Sequence, residues 1–231
     1  MVKGLNLNER PYCILNTAMS IDGKIATIQG QIELSSEEDW KRVHRLRCEV
    51  DGILVGINTI ISDDPKLRIK YFEKKSGKLY RIIVDSNLRI PLKSNVLNFE
   101  IEKYPTIIIT TQNAPKEKEE KILDIDPDNI KIIRCGNGPR VDLKLMARNL
   151  KSLNINKILL EGGGTLNFSM LANKLVDEIR VAIAPYLIGG KNAITFIEGE
   201  GFINENEIIK ANLIKKEMCG NCLVLYYRIK Y

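Results

Sequence analysis

The sequence predicts an α/β fold: a mostly parallel sheet with helices on both faces, ending in antiparallel C-terminal strands. Three observations predict it. Short β-branched apolar runs alternate with amphipathic stretches from residue 12 to about residue 174, the pattern of strand–helix–strand crossovers. The remaining chain holds strand-like runs only, two of them joined by Gly220-Asn221, a two-residue hairpin signal. With 231 residues, 44% hydrophobic and 28% charged, the chain has the apolar mass for one substantial core. No repeat, low-complexity tract or linker divides it, so residues 1–231 read as a single domain.

The elements follow in order. YCILNTAMS (12–20) reads as a strand. SSEEDWKRVHRLRC (35–48) reads as a helix, with Ser35 and Glu38 at capping-box spacing and Trp40, Val43, Leu46 and Val50 on the helical period. Ile53–Val55 is a short buried strand ended by Gly56. Arg81–Asp85 and Thr106–Thr111 are strands, Lys116–Leu123 a helix with a solvated face of mixed charge, Ile130–Cys135 a strand and Leu143–Leu153 a helix. Ile158–Leu160 is a strand, and Leu166–Lys174 is the helix that follows three glycines. Glu178–Ala184, Ala211–Met218 and Leu223–Ile229 are the terminal strands.

Charge and composition narrow the function. Lys+Arg is 35 against Asp+Glu 29, a formal charge of +6. That mild excess fits a phosphorylated ligand, and it also suits proteins without one. No basic block marks a nucleic-acid arm. No apolar run reaches the ~18 residues of a membrane span, and the N-terminus lacks a signal-peptide core, so a cytoplasmic protein is expected. Five cysteines do not suggest a disulfide framework. CGNC (219–222) lacks the second ligand pair that zinc needs and is read as a hairpin turn, so no metal is expected. His44, the single histidine, reads as a surface or packing residue.

Four polar loops follow strands. In KILLEGGGTLNF (157–168), Gly162, Gly163 and Gly164 separate a strand from a helix. Ligands bind at the carboxyl ends of strands in α/β sheets, and helix N-termini present free N–H groups to anions. Three residues without Cβ would admit a phosphate, Thr165 adding a hydroxyl; a tight turn is the alternative. In GILVGINTIISDDPKLRIK (52–70), Asn58 and Thr59 could cap a short helix or Thr59 could donate to a phosphate. Asp63 and Asp64 before Pro65 read as a turn, and Lys66, Arg68 and Lys70 add positive charge. In SIDGKIAT (20–27), Lys24 faces either a ligand or water. In VDSNLRIP (84–91), Asp85, Ser86 and Asn87 bond a ribose or phosphate, or close a turn.

Taken together, NTAMSIDGKIAT, RVHRLRCEVDGILVGINTIISDDPKLR, RIIVDSNLRIP, KILLEGGGTLNF and LVDEIRVAIAPYLIGG resemble the reductase of riboflavin biosynthesis. That family comprises a stand-alone archaeal-type enzyme and the C-terminal half of the bacterial bifunctional deaminase–reductase. The resemblance runs from Pro11 to Gly190. It implies a dihydrofolate-reductase-like three-layer sandwich, a homodimer, and NADPH as cofactor with NADH left open. The implied reaction reduces 2,5-diamino-6-ribosylamino-4(3H)-pyrimidinone 5′-phosphate to its ribitylamino product; the alternative is a dihydrofolate-type reductase of another pterin or pyrimidine. The resemblance assigns Thr59, Asp63, Asp85, Ser86, Asn87 and the Gly162–Thr165 loop to the cofactor. It assigns Lys24, Lys66, Leu67, Arg68, Lys70 and Glu161 to the substrate. Bacterial members carry lysine where this chain has Asn16, an amide that hydrogen-bonds but does not shuttle protons at neutral pH. The proton is therefore expected from Asp63, Glu161 or water.

Overall fold

The computed structural model describes residues 5–231. Its strands are β1 (Tyr12–Ser20), β2 (Ala26–Thr27), β3 (Gly30–Gln31), β4 (Gly52–Gly56), β5 (Tyr80–Val84), β6 (Thr106–Thr110), β7 (Ile130–Arg134), β8 (Lys157–Leu160), β9 (Glu178–Ala184), β10 (Lys210–Cys219) and β11 (Cys222–Lys230). The helices are α1 (Glu37–Cys48), α2 (Ile57–Asp63), α3 (Asn95–Asn98), α4 (Lys116–Leu123), α5 (Leu143–Ser152) and α6 (Gly164–Ala172), with a 3₁₀ turn at Glu205–Glu207. Nine strands form one sheet in the order β10-β11-β9-β1-β8-β4-β5-β6-β7, and β2 and β3 form a separate small hairpin.

Strand alternation builds the three layers. Successive residues of a strand face opposite sides of the sheet. Thus Cys13, Leu15, Leu54, Ile82, Ile107, Ile109, Ile158 and Leu160 enter one apolar layer with Met146 and Leu150 of α5 and Met170 and Leu171 of α6. Ile14, Ile53, Val55, Ile83, Ile108 and Leu159 enter the other, with Leu46 of α1, Ile60 of α2, Leu97 of α3 and Ile122 of α4. Strands buried on both faces read as unbroken apolar runs, as these do.

The predicted mostly parallel sheet with an antiparallel end is present, with one refinement. β9 pairs in parallel with β1 through Ile14↔Glu178 to Ser20↔Ala184, so it belongs to the parallel part. Only β11, antiparallel to β9, and β10, antiparallel to β11, reverse direction. The Gly220-Asn221 turn joins β10 to β11, with Gly220 at φ +60.

Local details correct the sequence reading in four places. The cap of α1 is Ser36, whose side chain accepts from the Asp39 N–H, rather than Ser35 with Glu38. Asn58 and Thr59 do not cap α2: the helix starts at Ile57 behind Gly56 and runs through Asp63, so the turn falls on Asp64, in the left-handed region at φ +39. α6 begins at Gly164 rather than Leu166. The short α3 and the β2–β3 hairpin carry no period long enough to predict.

Candidate active site

A cleft of about 970 Å³ opens beyond the carboxyl ends of β1, β4, β5 and β8. Topology puts it there. The chain passes from β1 to β4, moves outward through β5, β6 and β7, then returns to insert β8 between β1 and β4. Loops leaving these strands diverge to opposite sides, and the gap between them is the usual ligand crevice of an open α/β sheet.

Gly163 and Gly164 line one rim and Gly162, expected to meet the cofactor, lies just outside the lining; the three glycines differ in what surrounds them. Gly162 has φ +107, which L side chains rarely adopt, and its carbonyl accepts from the Gly56 N–H at 3.0 Å, tying the two strand ends together. Gly164 is in tight contact: a Cβ there would lie 2.5 Å from the Thr195 carbonyl oxygen. Gly163 is open to the cleft; a Cβ would meet only the Thr59 Oγ1, at 3.8 Å. Its peptide to Gly162 is cis. Past the rim, the first amides of α6 have no partner within the helix and carry the positive end of its dipole.

The floor is held by two arginines of α1. Arg47 makes a two-pronged pair with Glu161, Nε to Oε1 at 2.9 Å and Nη2 to Oε2 at 2.7 Å, and donates through Nη1 to the Arg68 carbonyl at 2.7 Å. Both side chains are largely buried, at 8% and 12% exposure. Arg42 bonds Asp39 at 2.8 Å and donates to the Asn16 Oδ1 at 3.0 Å. That contact turns the Asn16 amide nitrogen away from Arg42. Behind it, Asp39 Oδ2 and Arg42 Nη1 are buried without a partner among the described residues. Nearby, Trp40 lines the cleft and donates to Glu33 at 2.9 Å, while His44 accepts from the Lys70 N–H through Nδ1 at 3.1 Å. Burial lowers the His44 pKa to about 4, so it is a neutral packing residue at pH 7.

Of the residues singled out from sequence, Asn16, Thr59, Asp63, Leu67, Ser86, Asn87, Glu161, Gly163, Gly164 and Thr165 all line this cleft. Asp63 does so with no hydrogen-bond or ion-pair partner among the described residues. Ser86 is partly committed to the fold, since its Oγ accepts from the Val141 N–H at 3.2 Å. Other assignments need correction. Asp85 is fully buried and caps its own loop by accepting from the Ile90 N–H at 2.8 Å, so it is not presented to a ligand. Lys66 and Arg68 lie over the Phe99 ring, Lys70 lies over Tyr71, and none of the three lines the cleft. Alternation along the loop explains this: Leu67 and Ile69 turn inward and carry the intervening cations outward. Lys24 donates to the Ala193 carbonyl at 3.1 Å, also outside the lining.

Sequence reasoning missed Arg47, Arg42, Arg89, Arg140 and Glu198. For Arg47 a signal existed. It lies seven residues after Trp40 and four after Val43, on the apolar stripe of α1, and a charge there must be paired. Arg89 and Arg140 line the far end of the cleft; Arg89 Nη2 donates to the neutral Asn58 Oδ1 at 2.7 Å, and neither has a carboxylate partner among the described residues. Nothing local distinguishes them from surface cations. No helix of the described residues is long and apolar enough to cross a membrane.

Residues 11–225 match the family model described as the RibD C-terminal domain. A protein of Methanothermobacter thermautotrophicus named 2,5-diamino-6-ribosylamino-4(3H)-pyrimidinone 5′-phosphate reductase is 42% identical, covering 96% of this chain and 99% of that one. One of the same name from Aquifex aeolicus is 34% identical over 96% of this chain and 97% of its own. Among solved structures, Acinetobacter baumannii RibD superposes with a TM-score of 0.76 at 20% identity, over 96% of this chain and 58% of that one. The chain thus spans a little over half of that longer protein. The structural likeness bears on the fold alone, which is the dihydrofolate-reductase-like sandwich.

Proposed function

The chain belongs to the RibD C-terminal domain family, and from that premise we propose that it is the riboflavin-biosynthesis reductase acting on 2,5-diamino-6-ribosylamino-4(3H)-pyrimidinone 5′-phosphate, with NADPH as reductant. The observation that carries the cofactor assignment is the bare Gly163 ledge beside Thr59 and the free amides of α6. A diphosphate fits such a ledge because backbone N–H groups reach it with no Cβ intervening.

A reduced nicotinamide in the cleft supplies the hydride. The chain's own residues do the rest. The ribosylamine must open to an imine, accept hydride at the sugar C1′ and gain a proton on nitrogen. The cleft holds the reacting groups together and limits water. Glu161, both oxygens engaged by Arg47, is a fixed acceptor that orients the substrate. Asn16, its carbonyl taken by Arg42, offers N–H to the substrate. Asp63, unpaired at the cleft edge, is the group free to relay the proton, directly or through water. Arg89 and Arg140 favour NADPH over NADH, because cations without carboxylate partners at the far end suit a 2′-phosphate. Arg140→Ala should therefore weaken NADPH binding and leave NADH binding nearly unchanged.

The unit is a single reductase domain, and we infer that it works as a homodimer. Leu213, Ile214 and Met218 of β10 are 52%, 54% and 66% exposed, an apolar edge that a second copy would cover. The direct test is oxidation followed at the nicotinamide absorbance. NADPH should be consumed only with the ribosylaminopyrimidine phosphate present, and Gly163→Val should weaken NADPH binding in a folded protein. A folded enzyme that leaves NADPH intact with authentic substrate would remove the assignment.

A further inference from the structure

Asn16 is gripped from behind by a buried ion pair that does not itself reach the cleft. Arg42 Nη2 donates to the Asn16 Oδ1 at 3.0 Å, and Arg42 Nε donates to Asp39 Oδ1 at 2.8 Å. Asp39 is fully buried, and neither member of the pair lines the cleft, whereas Asn16 does. A guanidinium has donors only. An amide turned the other way would set its own N–H groups against those of Arg42, so Oδ1 faces Arg42 and Nδ2 is left for the cleft. The Nδ2 has no partner among the described residues. Leu15 pairs with Leu160 in the β1–β8 ladder, so Asn16 and Glu161 stand side by side one step further on, each held by an arginine of α1. The pair behind Asn16 is itself incompletely satisfied, since Asp39 Oδ2 and Arg42 Nη1 are buried without a partner among the described residues. A buried pair in that state adds little to stability. Its effect falls on what it touches, and what it touches is Asn16.

We propose that Asp39 and Arg42 are positioning residues that lock the Asn16 amide as a one-way donor, so that Asn16 selects a substrate carrying a hydrogen-bond acceptor of its pyrimidinone ring at that point. The inference rests on the substrate reading above. A free asparagine can flip and serve a donor or an acceptor equally well. With its oxygen held by Arg42, Asn16 loses that choice. A ligand that presents a donor there leaves two N–H groups facing each other with no acceptor between them, and unpaired polar groups in a closed site are what reject a wrong substrate. Asp39 acts one step further back, by fixing the guanidinium that fixes the amide. Beside this donor, the Glu161 carboxylate presents acceptors only. The substrate end of the cleft thus offers one donor and one acceptor in a set order.

The test is a mutant cycle on the full chain, read by steady-state kinetics with the ribosylaminopyrimidine phosphate, by NADPH titration and by thermal unfolding. Asn16→Ala should lower kcat/KM about tenfold or more. Asp39→Leu combined with Arg42→Met puts apolar groups of similar size in place of the pair, which should keep the thermal midpoint near that of wild type. That variant should lose about as much kcat/KM as Asn16→Ala, while its NADPH Kd stays within about twofold of wild type. Added to Asn16→Ala, the same replacement should cost no more than about twofold further, because it acts through that amide. Arg42→Lys, which keeps a donor on the Asn16 oxygen, should stay within about threefold of wild type. A stable pair variant with wild-type kcat/KM, losses that multiply with Asn16→Ala, or an equal loss of NADPH affinity would overturn the proposal and leave the substrate reading in place. Asn16→Asp decides the matter if the pair variant does not fold. It keeps the size and the Arg42 contact and removes only the donor, so it should lose about tenfold in kcat/KM, and wild-type turnover would overturn the proposal. A wild type that leaves NADPH unoxidised with authentic substrate would remove both readings.

Discussion

The two ends of the sheet handle their apolar surface in opposite ways. From β1 to β6, helices cover both faces, and the central residues of β4, β5, β6 and β8 are fully buried. At the other end, β10 is exposed along nearly its whole length. Its length and unpaired outer edge make it a template for another strand. It carries Lys210, Lys215 and Lys216 and a bulge at Leu213/Lys215, devices that blunt an edge, yet it still exposes Leu213, Ile214 and Met218. The comparison teaches that the covered half buries its apolar surface within the chain, whereas the antiparallel end leaves part of its own exposed.

The largest expected effect breaks the covered half. Arg47→Ala strands the buried Glu161 carboxylate and frees the Arg68 carbonyl, and removing one partner of a buried pair costs about 3–5 kcal/mol. Denaturant unfolding should show that loss, with activity falling too. A cost near zero would mean that water reaches the pair and that the cleft floor is softer than its burial indicates.

A second change addresses the exposed end. Leu213→Asp with Ile214→Asp should convert a dimer to a monomer by light scattering. The same substitutions on an uncovered surface would change stability within about 0.5 kcal/mol and leave the mass unaltered. A monomeric wild type would mean that the exposed strand has no partner of its own kind.

The smallest effect is read by pH. His44, on the buried face of α1 in the covered half, has a folded pKa lowered by burial from 6.5 to about 4. The folded state therefore binds fewer protons than the unfolded state between those values. Stability should fall as pH drops from about 6.5 to about 4 and then level off for this group. Asp22, in the loop that follows β1, behaves differently. The Ser20 hydroxyl and the Ile188 and Gly189 N–H groups hold its pKa down to about 2 from 3.8. Its contribution is intact above pH 3.8 and is lost only as pH falls toward 2. The thermal midpoint of His44→Gln should be less sensitive between pH 6.5 and 4 than that of wild type. Equal sensitivity would shift the acid response to other groups.

Much of the fold was legible in the sequence, for local reasons. Runs such as GILVG, RIIV and TIIIT are buried on both faces, so their strand character needs no context, and Gly220-Asn221 sets its hairpin by backbone preference alone. The glycine rim was legible as well, because three adjacent residues without side chains are unusual in any element. Asp85 shows the limit. Its place after a strand suited a ligand contact, but whether a loop carboxylate faces the cleft or its own backbone depends on how the loop closes.

The sequence by itself determined the strands of the main sheet, the Gly220-Asn221 hairpin, the family resemblance and the bare ledge, because each depends on neighbours within a few positions. The tertiary structure alone decided which polar groups meet. Arg47 and Glu161 are 114 residues apart and touch only because β8 inserts between β1 and β4 beneath α1. The Lys66, Arg68 and Lys70 side chains leave the cleft because Leu67 and Ile69 claim the inward positions. Charge can be read from a chain, but its direction is set by packing.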